Sequence, residues 1–330
     1  MLMNNQILKD VKKHHLYNIM NDLLIHKDAT MSELIRRTAL SQPSVRNMIR
    51  LLEEHAMIQE IGNDASNGGR CPTRFAIQKK DYRILCIYAQ TKGMCYQLIH
   101  YDKLIMEGTC GQKDDEAMES YVLDLIHTHA IDCCVIAVDG IVKDDQYITD
   151  HKDTFEHHKW VSSLKKRVQQ IPVYLENDVK VMHLGQYFHE PISRSFYLHI
   201  NEVGIGSSYM ELDIPLYGAN GLLGEIGLIP IRAQSLNQRI RSCQTQAQFN
   251  EEMLTLLSMI ITMLDPNRIY ISLQVTWAYE EETIKDMLKR YIHIPLKNNI
   301  QVDDDYQKRL FEGMVYIGIQ NIMKEKIERL

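Results

Sequence analysis

Residues 67–72 read Asn67-Gly68-Gly69-Arg70-Cys71-Pro72, and how that turn is read decides the fold of the N-terminal part of the chain. Two adjacent glycines let a hairpin tip bend sharply and approach a phosphate backbone closely. Arg70 and Arg74 supply charge that can neutralise such a backbone. Before the turn, Met57-Ile58-Gln59-Glu60-Ile61 reads as a strand. After it, Arg74-Phe75-Ala76-Ile77 reads as the partner strand. The turn is then the tip of a wing.

Three helical patterns precede it. Between Gln6 and Ile25, apolar residues fall at Ile7, Leu8, Val11, Leu16, Ile19, Met20, Leu23 and Leu24, the spacing of an amphipathic helix. Thr30-Met31-Ser32-Glu33 is a capping-box pattern that opens a short helix ending near Thr38. Ala39-Leu40 make the turn, and Ser41 caps a third helix that tolerates Pro43 in its first turn. That helix sets Val45, Met48, Ile49 and Leu52 on one face. Its other face carries Ser41, Gln42, Ser44, Arg46, Asn47 and Arg50. These short polar and basic groups can reach base edges and phosphates in a major groove. Three helices and a hairpin make a winged helix-turn-helix over residues 1–80. A small helical interaction module of similar shape is the alternative.

Charge divides the same way. Residues 1–80 hold twelve Lys/Arg and eight Asp/Glu, a balance of +4; the total of −6 leaves −10 for the other 250 residues. A basic head on an acidic body suits a DNA reader whose body stays off the phosphates. No apolar run approaches the roughly 18 residues of a membrane span, and residues 1–10 lack a signal-peptide core. The seven cysteines are an odd, scattered set without a CxxC pair, which points to a reducing cytoplasm and away from a structural zinc site. His151, His157 and His158 lack a surrounding metal-ligand framework and read as solvated loop histidines.

From Tyr82 onward strand and helix patterns alternate. Arg83–Ala89, Cys95–Ile99, Cys133–Val138, Val173–Asn177, Ser195–Ile200 and Arg268–Leu273 read as strands. Ala117–Thr128, Val179–Phe188 and Glu251–Leu264 read as helices. Glycines and polar residues cluster at strand ends: Val138-Asp139-Gly140-Ile141-Val142, Glu176-Asn177-Asp178, Gly204-Ile205-Gly206, Gly218-Ala219-Asn220-Gly221 and Gly224-Glu225-Ile226-Gly227. Ligands bind at such places in α/β folds.

In order and spacing, these motifs, the Gly68-Gly69-Arg70 wing and Leu264-Asp265-Pro266 resemble the ROK family, which groups sugar-responsive repressors and sugar kinases. The resemblance covers nearly the whole chain. It implies an α/β body of the actin-like, hexokinase-like two-lobed type over residues 81–330, behind the winged head. It also implies a sugar cleft in which Gly140, Asn177, Asp178 and Glu225 meet the ligand, with Asp178 as the general base in kinase members. The local alternatives are that Asn177 caps the following helix, Asp178 faces its N-terminal dipole, and Glu225 binds loop amides.

The chain also departs from the family. The Asp-x-Gly-Gly-Thr phosphate turn of kinase members is replaced by Tyr88-Ala89-Gln90-Thr91-Lys92. The His after Gly-Glu-Ile-Gly is Leu228, and residues 229–248 hold only Cys243 where a zinc loop would stand. Asp139 stands where proline is usual. The sequence therefore predicts a regulator with no catalytic residues, cofactor or metal. It would bind a double-stranded DNA operator as a homodimer or homotetramer, away from membranes, with a sugar or sugar phosphate as effector. Two other readings stay open: a regulator whose body serves only in dimerisation, and an ATP-dependent sugar kinase.

Overall fold

The computed structural model describes residues 2–63, 72–90, 93–111, 114–151, 154–297 and 299–330. The expected wing tip at Gly68, Gly69 and Arg70 lies outside the described residues, as do Thr91 and Lys92 of the altered phosphate turn. The head comprises α1 (Leu2–His26), β1 (Asp28–Thr30), α2 (Met31–Thr38), α3 (Gln42–Glu54), β2 (Ile58–Asn63) and β3 (Thr73–Ile77). Its strands form one sheet in the order β1-β3-β2, with β3 antiparallel to both neighbours.

The helix boundaries follow from the expected caps. The Thr30 side chain accepts from the Glu33 amide at 3.3 Å, and the Glu33 carboxylate accepts from the Thr30 amide at 2.8 Å, closing the capping box. Ala39 ends α2 in the left-handed region at φ 55°. Ser41 then caps α3 by accepting from the Ser44 amide at 3.3 Å. Val45, Ile49 and Leu52 pack inward against Leu16, Ile19, Met20 and Leu23 of α1.

The first lobe of the body is built on β4 (Arg83–Gln90), β5 (Gly93–His100), β6 (Lys103–Cys110), β7 (Cys133–Val138) and β11 (Val173–Asn177), in the sheet order β11-β7-β4-β5-β6. The strands β8 (Ile141–Lys143), β9 (Gln146–His151) and β10 (Thr154–His158) form a small antiparallel sheet beside it. Alternation along β4 and β7 divides two cores, as a period of two requires. Leu85, Ile87, Cys134, Ile136 and Val138 pack with α4 (Asp115–Thr128) and α5 (Trp160–Arg167). Ile84, Cys86, Cys133 and Val135 face the opposite way, toward the C-terminal helix α10 (Tyr306–Glu328).

The second lobe has β12 (Arg194–Ile200), β13 (Ile205–Glu211), β14 (Ile214–Pro215), β17 (Arg268–Leu273) and β18 (Asn299–Val302), in the order β14-β13-β12-β17-β18. Phe196, Leu198 and Ile200 bury one face beneath α7 (Leu236–Arg241), α8 (Gln246–Leu264) and α9 (Glu281–Lys289). A two-stranded ribbon, β15 (Pro230–Ile231) with β16 (Gln234–Ser235), leads into α7. Helix α6 (Asp178–His189) packs against both α10 and the β12–β13 hairpin. Its crossing with α10 is very close: a Cβ on Gly185 would lie 1.8 Å from the Arg309 carbonyl oxygen, and one on Gly313 would lie 1.9 Å from that of Val181. Only glycine fits at either position.

Candidate functional site

Parallel pairing sets the cleft. Val138 of β7 lies level with Ala89 of β4 and with Asn177 of β11, so three strand ends finish together. Asp139, Gly140, Asn177 and Asp178 follow at once. Across from them stand the β12–β13 hairpin and the loop carrying Glu225. Between the lobes is a cleft of about 610 Å³, including the solvent space at its mouth, lined among others by Asp139, Gly140, Asn177, Asp178, His199 and Glu225. The four residues expected to meet a ligand are thus brought together.

Their local bonds are already extensive. Asn177 caps α6: its side-chain oxygen accepts from the Lys180 amide at 3.1 Å, and its amide nitrogen donates to the Gly140 carbonyl at 3.0 Å. The capping role left open by the sequence is therefore present. Asp178 is 3% exposed. Its Oδ1 accepts from the Val179 amide at 2.8 Å, and its Oδ2 accepts from the Tyr88 hydroxyl at 3.0 Å. Burial, then the nearby Asp139 carboxylate, push its pKa well above the usual carboxylate range, and Glu225 adds to the rise.

Asn237 holds the second wall. Its side-chain oxygen accepts from the Ile205 amide at 2.8 Å. A Cβ on Gly227 would lie 2.0 Å from that oxygen, so the glycine is required for the loop to close over Asn237. Glu176 ties the lobes further by accepting from the Tyr217 hydroxyl at 2.6 Å. Leu228 also lines the cleft.

Three contributors were not legible beforehand. Tyr88 stands in the sequence only as part of a replaced turn, but its hydroxyl reaches the carboxylate of Asp178. His199 is an alternate residue of a strand and carries no local motif. Asn237 reaches the cleft only through the fold of β15, β16 and α7.

In the head, Ser41, Gln42, Arg46, Asn47 and Arg50 are exposed along α3, and Ser44 is half-buried beside its cap. Arg50 lies 3.5 Å from Glu54 on its own helix. Arg74, expected to face phosphate, is held by two carboxylates of the head. Its guanidinium lies 2.6 Å from Asp28 and 3.2 Å from Glu33, tying β3 to β1 and α2. His158 is no loop histidine either: it stacks on Tyr147 at 4.5 Å and bonds Asp115 at 2.8 Å and Thr149 at 3.1 Å.

Residues 109–252 match the model of the ROK family. The xylose repressor of Bacillus subtilis (strain 168) is 22% identical over 244 residues, which is 67% of this chain and 61% of that protein. The match thus spans about three-fifths of the curated relative's length. Among solved structures, a ROK family transcriptional regulator, a homologue of the E. coli MLC protein, superposes with a TM-score of 0.74 at 13% identity. It covers 96% of this chain and 99% of its own. A ROK family protein from Streptococcus pneumoniae TIGR4, solved with sucrose, gives a TM-score of 0.60 at 16% identity over 73% of this chain and 99% of its own. The body has the actin-like, hexokinase-like fold with its mixed sheets and covering helices. The likeness to the MLC homologue extends through the head, whereas the sucrose-bound protein matches a smaller share of the chain.

Proposed function

We propose that this protein is a DNA-binding transcriptional regulator, a repressor in mode, of carbohydrate-related genes, with a non-catalytic body that senses a sugar. The observation that carries the reading is the pairing of two sites in one chain. An exposed polar and basic face on α3 caps a winged head, and an interlobe cleft gathers Asp139, Asn177, Asp178 and Glu225 behind it. Gln42, Asn47 and Arg46 match what base edges in a major groove accept. The winged head takes residues 1–80 and the sensing body residues 81–330. A homodimer, or a dimer of dimers, would set two α3 helices on a near-palindromic operator. The cytoplasm is where such a protein meets DNA.

Phosphoryl transfer fits the geometry poorly. A general base must reach the acceptor hydroxyl, and Asp178 is 3% exposed, with the Tyr88 hydroxyl on Oδ2 and the Val179 amide on Oδ1 each taking one of its acceptor sites. Tyr88 stands where kinase members begin their phosphate turn, and a phenol ring cannot provide the backbone cradle a phosphate needs.

The test is a selection of DNA sites by the purified chain, with and without a pool of sugars. An enriched near-palindrome whose binding shifts with a sugar supports the reading. A palindrome indifferent to every sugar reduces the body to a dimerisation module, and no enriched site removes the regulator reading altogether.

A further inference from the structure

The cleft is lopsided in charge. Asp139, Asp178 and Glu225 all line it, and no lysine or arginine does so among the described residues. Asp139 and Glu225 both act on Asp178 through space, so the three carboxylates share one field. A second, independent feature points to a ligand. His199, at the C-terminal end of β12, lines the same cleft and is 2% exposed. Its Nδ1 pairs with the Ser272 hydroxyl at 3.2 Å, the Gln274 side chain lies near enough to the ring to oppose burial's lowering of its pKa, and its Nε2 makes no hydrogen bond of its own among the described residues. A buried polar atom left without a bond is costly, and a bound molecule that supplies one repays that cost.

Resting on the sensing role proposed above, we infer that this cleft selects its sugar by charge. An amine-bearing sugar, protonated at neutral pH, binds better than the neutral sugar of the same configuration, and that neutral sugar binds better than its phosphate ester. The ammonium sits in the field of Asp139, Asp178 and Glu225, while a ligand group meets His199 Nε2. The physical reason is that three carboxylates in a partly enclosed site stabilise a cation far more than they would in bulk water. A phosphate there would add negative charge to an already acidic lining, with no arginine or lysine among the described lining residues to meet it. Burial holds His199 neutral, its pKa lowered to about 4, so it does not offset the acidic field.

The test is calorimetric titration of the full chain with glucosamine, galactosamine and mannosamine, each beside its parent hexose and that hexose 6-phosphate. For at least one configuration the amine is expected to bind tenfold or more tightly than the hexose, and the phosphate more weakly than either. Asp139→Asn should shrink the amine-to-hexose ratio several-fold. Rising salt should weaken the amine but not the hexose, and this check needs no variant if Asp139→Asn fails to fold. A phosphate that binds as tightly as the amine overturns the inference. So does a ratio untouched by Asp139→Asn or by salt, or a failure of every hexosamine to bind. The DNA-site selection is run on the same preparation. An enriched operator with no amine preference sinks the charge inference alone, whereas amine preference without an operator sinks the regulator reading alone.

Discussion

Two buried histidines set a pH window that can be measured directly. His183 is fully buried between the hydroxyls of Ser195 at 2.8 Å and Ser208 at 3.0 Å. Burial lowers its pKa to about 3, and that of His199 to about 4. The unfolded chain takes up these protons near pH 6.5. Below that value the unfolded state gains protons that the fold refuses. Stability is therefore fully present above about pH 6.5 and drains as pH falls toward 4 and then 3, by up to about 1.4 kcal/mol per pH unit for each histidine. Urea midpoints measured from pH 7 to 4 should fall accordingly, and His183→Gln should flatten the slope; an equal slope in that variant would refute the assignment. Asp178 acts in the other direction. Its pKa is raised in the fold, so its contribution is full below about pH 3.9 and is lost as pH rises through the folded value. Asp178→Asn removes the buried charge, its side-chain oxygen still accepting from the Val179 amide and its NH2 donating to the Tyr88 hydroxyl oxygen. It should raise the thermal midpoint at pH 7, with the gain vanishing near pH 4, and a gain that persists at pH 4 would point to a cause other than charge. The sequence made Asp178 visible through its motif. It could not show Tyr88 as its partner, because residues 90 apart meet only after β4, β7 and β11 align.

Local signals marked the elements well where a cap or a strict period was present. Thr30, Glu33 and Ser41 bounded α2 and α3 because cap chemistry is local. Cys133–Val138 is legible as a strand because it is a buried apolar run, and Arg268–Leu273 because β-favouring Ile and Tyr fill its buried centre. The small β8–β10 sheet, the edge strand β6 and β18 escaped notice because their partners, rather than their composition, make them strands. Arg74 has a contact that is invisible locally for a related reason: the sequence shows a basic residue beside a glycine turn, while its ion pair is with Asp28, 46 residues away. Arg46 and Arg74 should therefore behave differently when each is replaced by alanine. Arg46→Ala should cost about 1–3 kcal/mol of operator binding while leaving thermal stability near wild type. Arg74→Ala should lower the thermal midpoint of the head, because Asp28 and Glu33 lose their shared cation, and should leave the salt dependence of DNA binding unchanged. Fluorescence anisotropy over a salt series, beside thermal melts, separates the two. If Arg74→Ala shifts the salt slope by about one unit, the guanidinium reaches phosphate after all.

Head and body are joined by packing as well as by chain. Leu16, Met20 and Leu23 of α1 share one hydrophobic cluster with Met314, Tyr316 and Met323 of α10 and with Val181 of α6. Asn21 is the polar node in that contact. Its side-chain oxygen accepts from Gln320 at 3.1 Å and from the Tyr316 hydroxyl at 3.3 Å. Its amide nitrogen donates to Asp213 at 3.2 Å, in the turn between β13 and β14. One head residue thus touches the helix that backs the first lobe and the hairpin that walls the cleft in the second. β13 begins at Ile205, beside the cleft, and reaches the Asp213 turn within a single strand. A ligand that draws the lobes together would move Asp213 relative to α10, and Asn21 would feel both displacements. Coupling of this kind requires only that the two lobe arrangements hold α1 differently. Asn21→Ala is then expected to leave ligand-free operator affinity within about threefold of wild type and to leave sugar affinity intact. The change in operator affinity on adding sugar should shrink by about tenfold, the loss of one coupling of roughly 1.4 kcal/mol. Operator titrations with and without saturating sugar give the two operator affinities and their ratio, and a calorimetric sugar titration gives the sugar affinity. An unchanged sugar response in Asn21→Ala would move the coupling route away from this node, to the apolar packing of α1 on α10. Equal losses in both operator affinities would make Asn21 a support for the head alone.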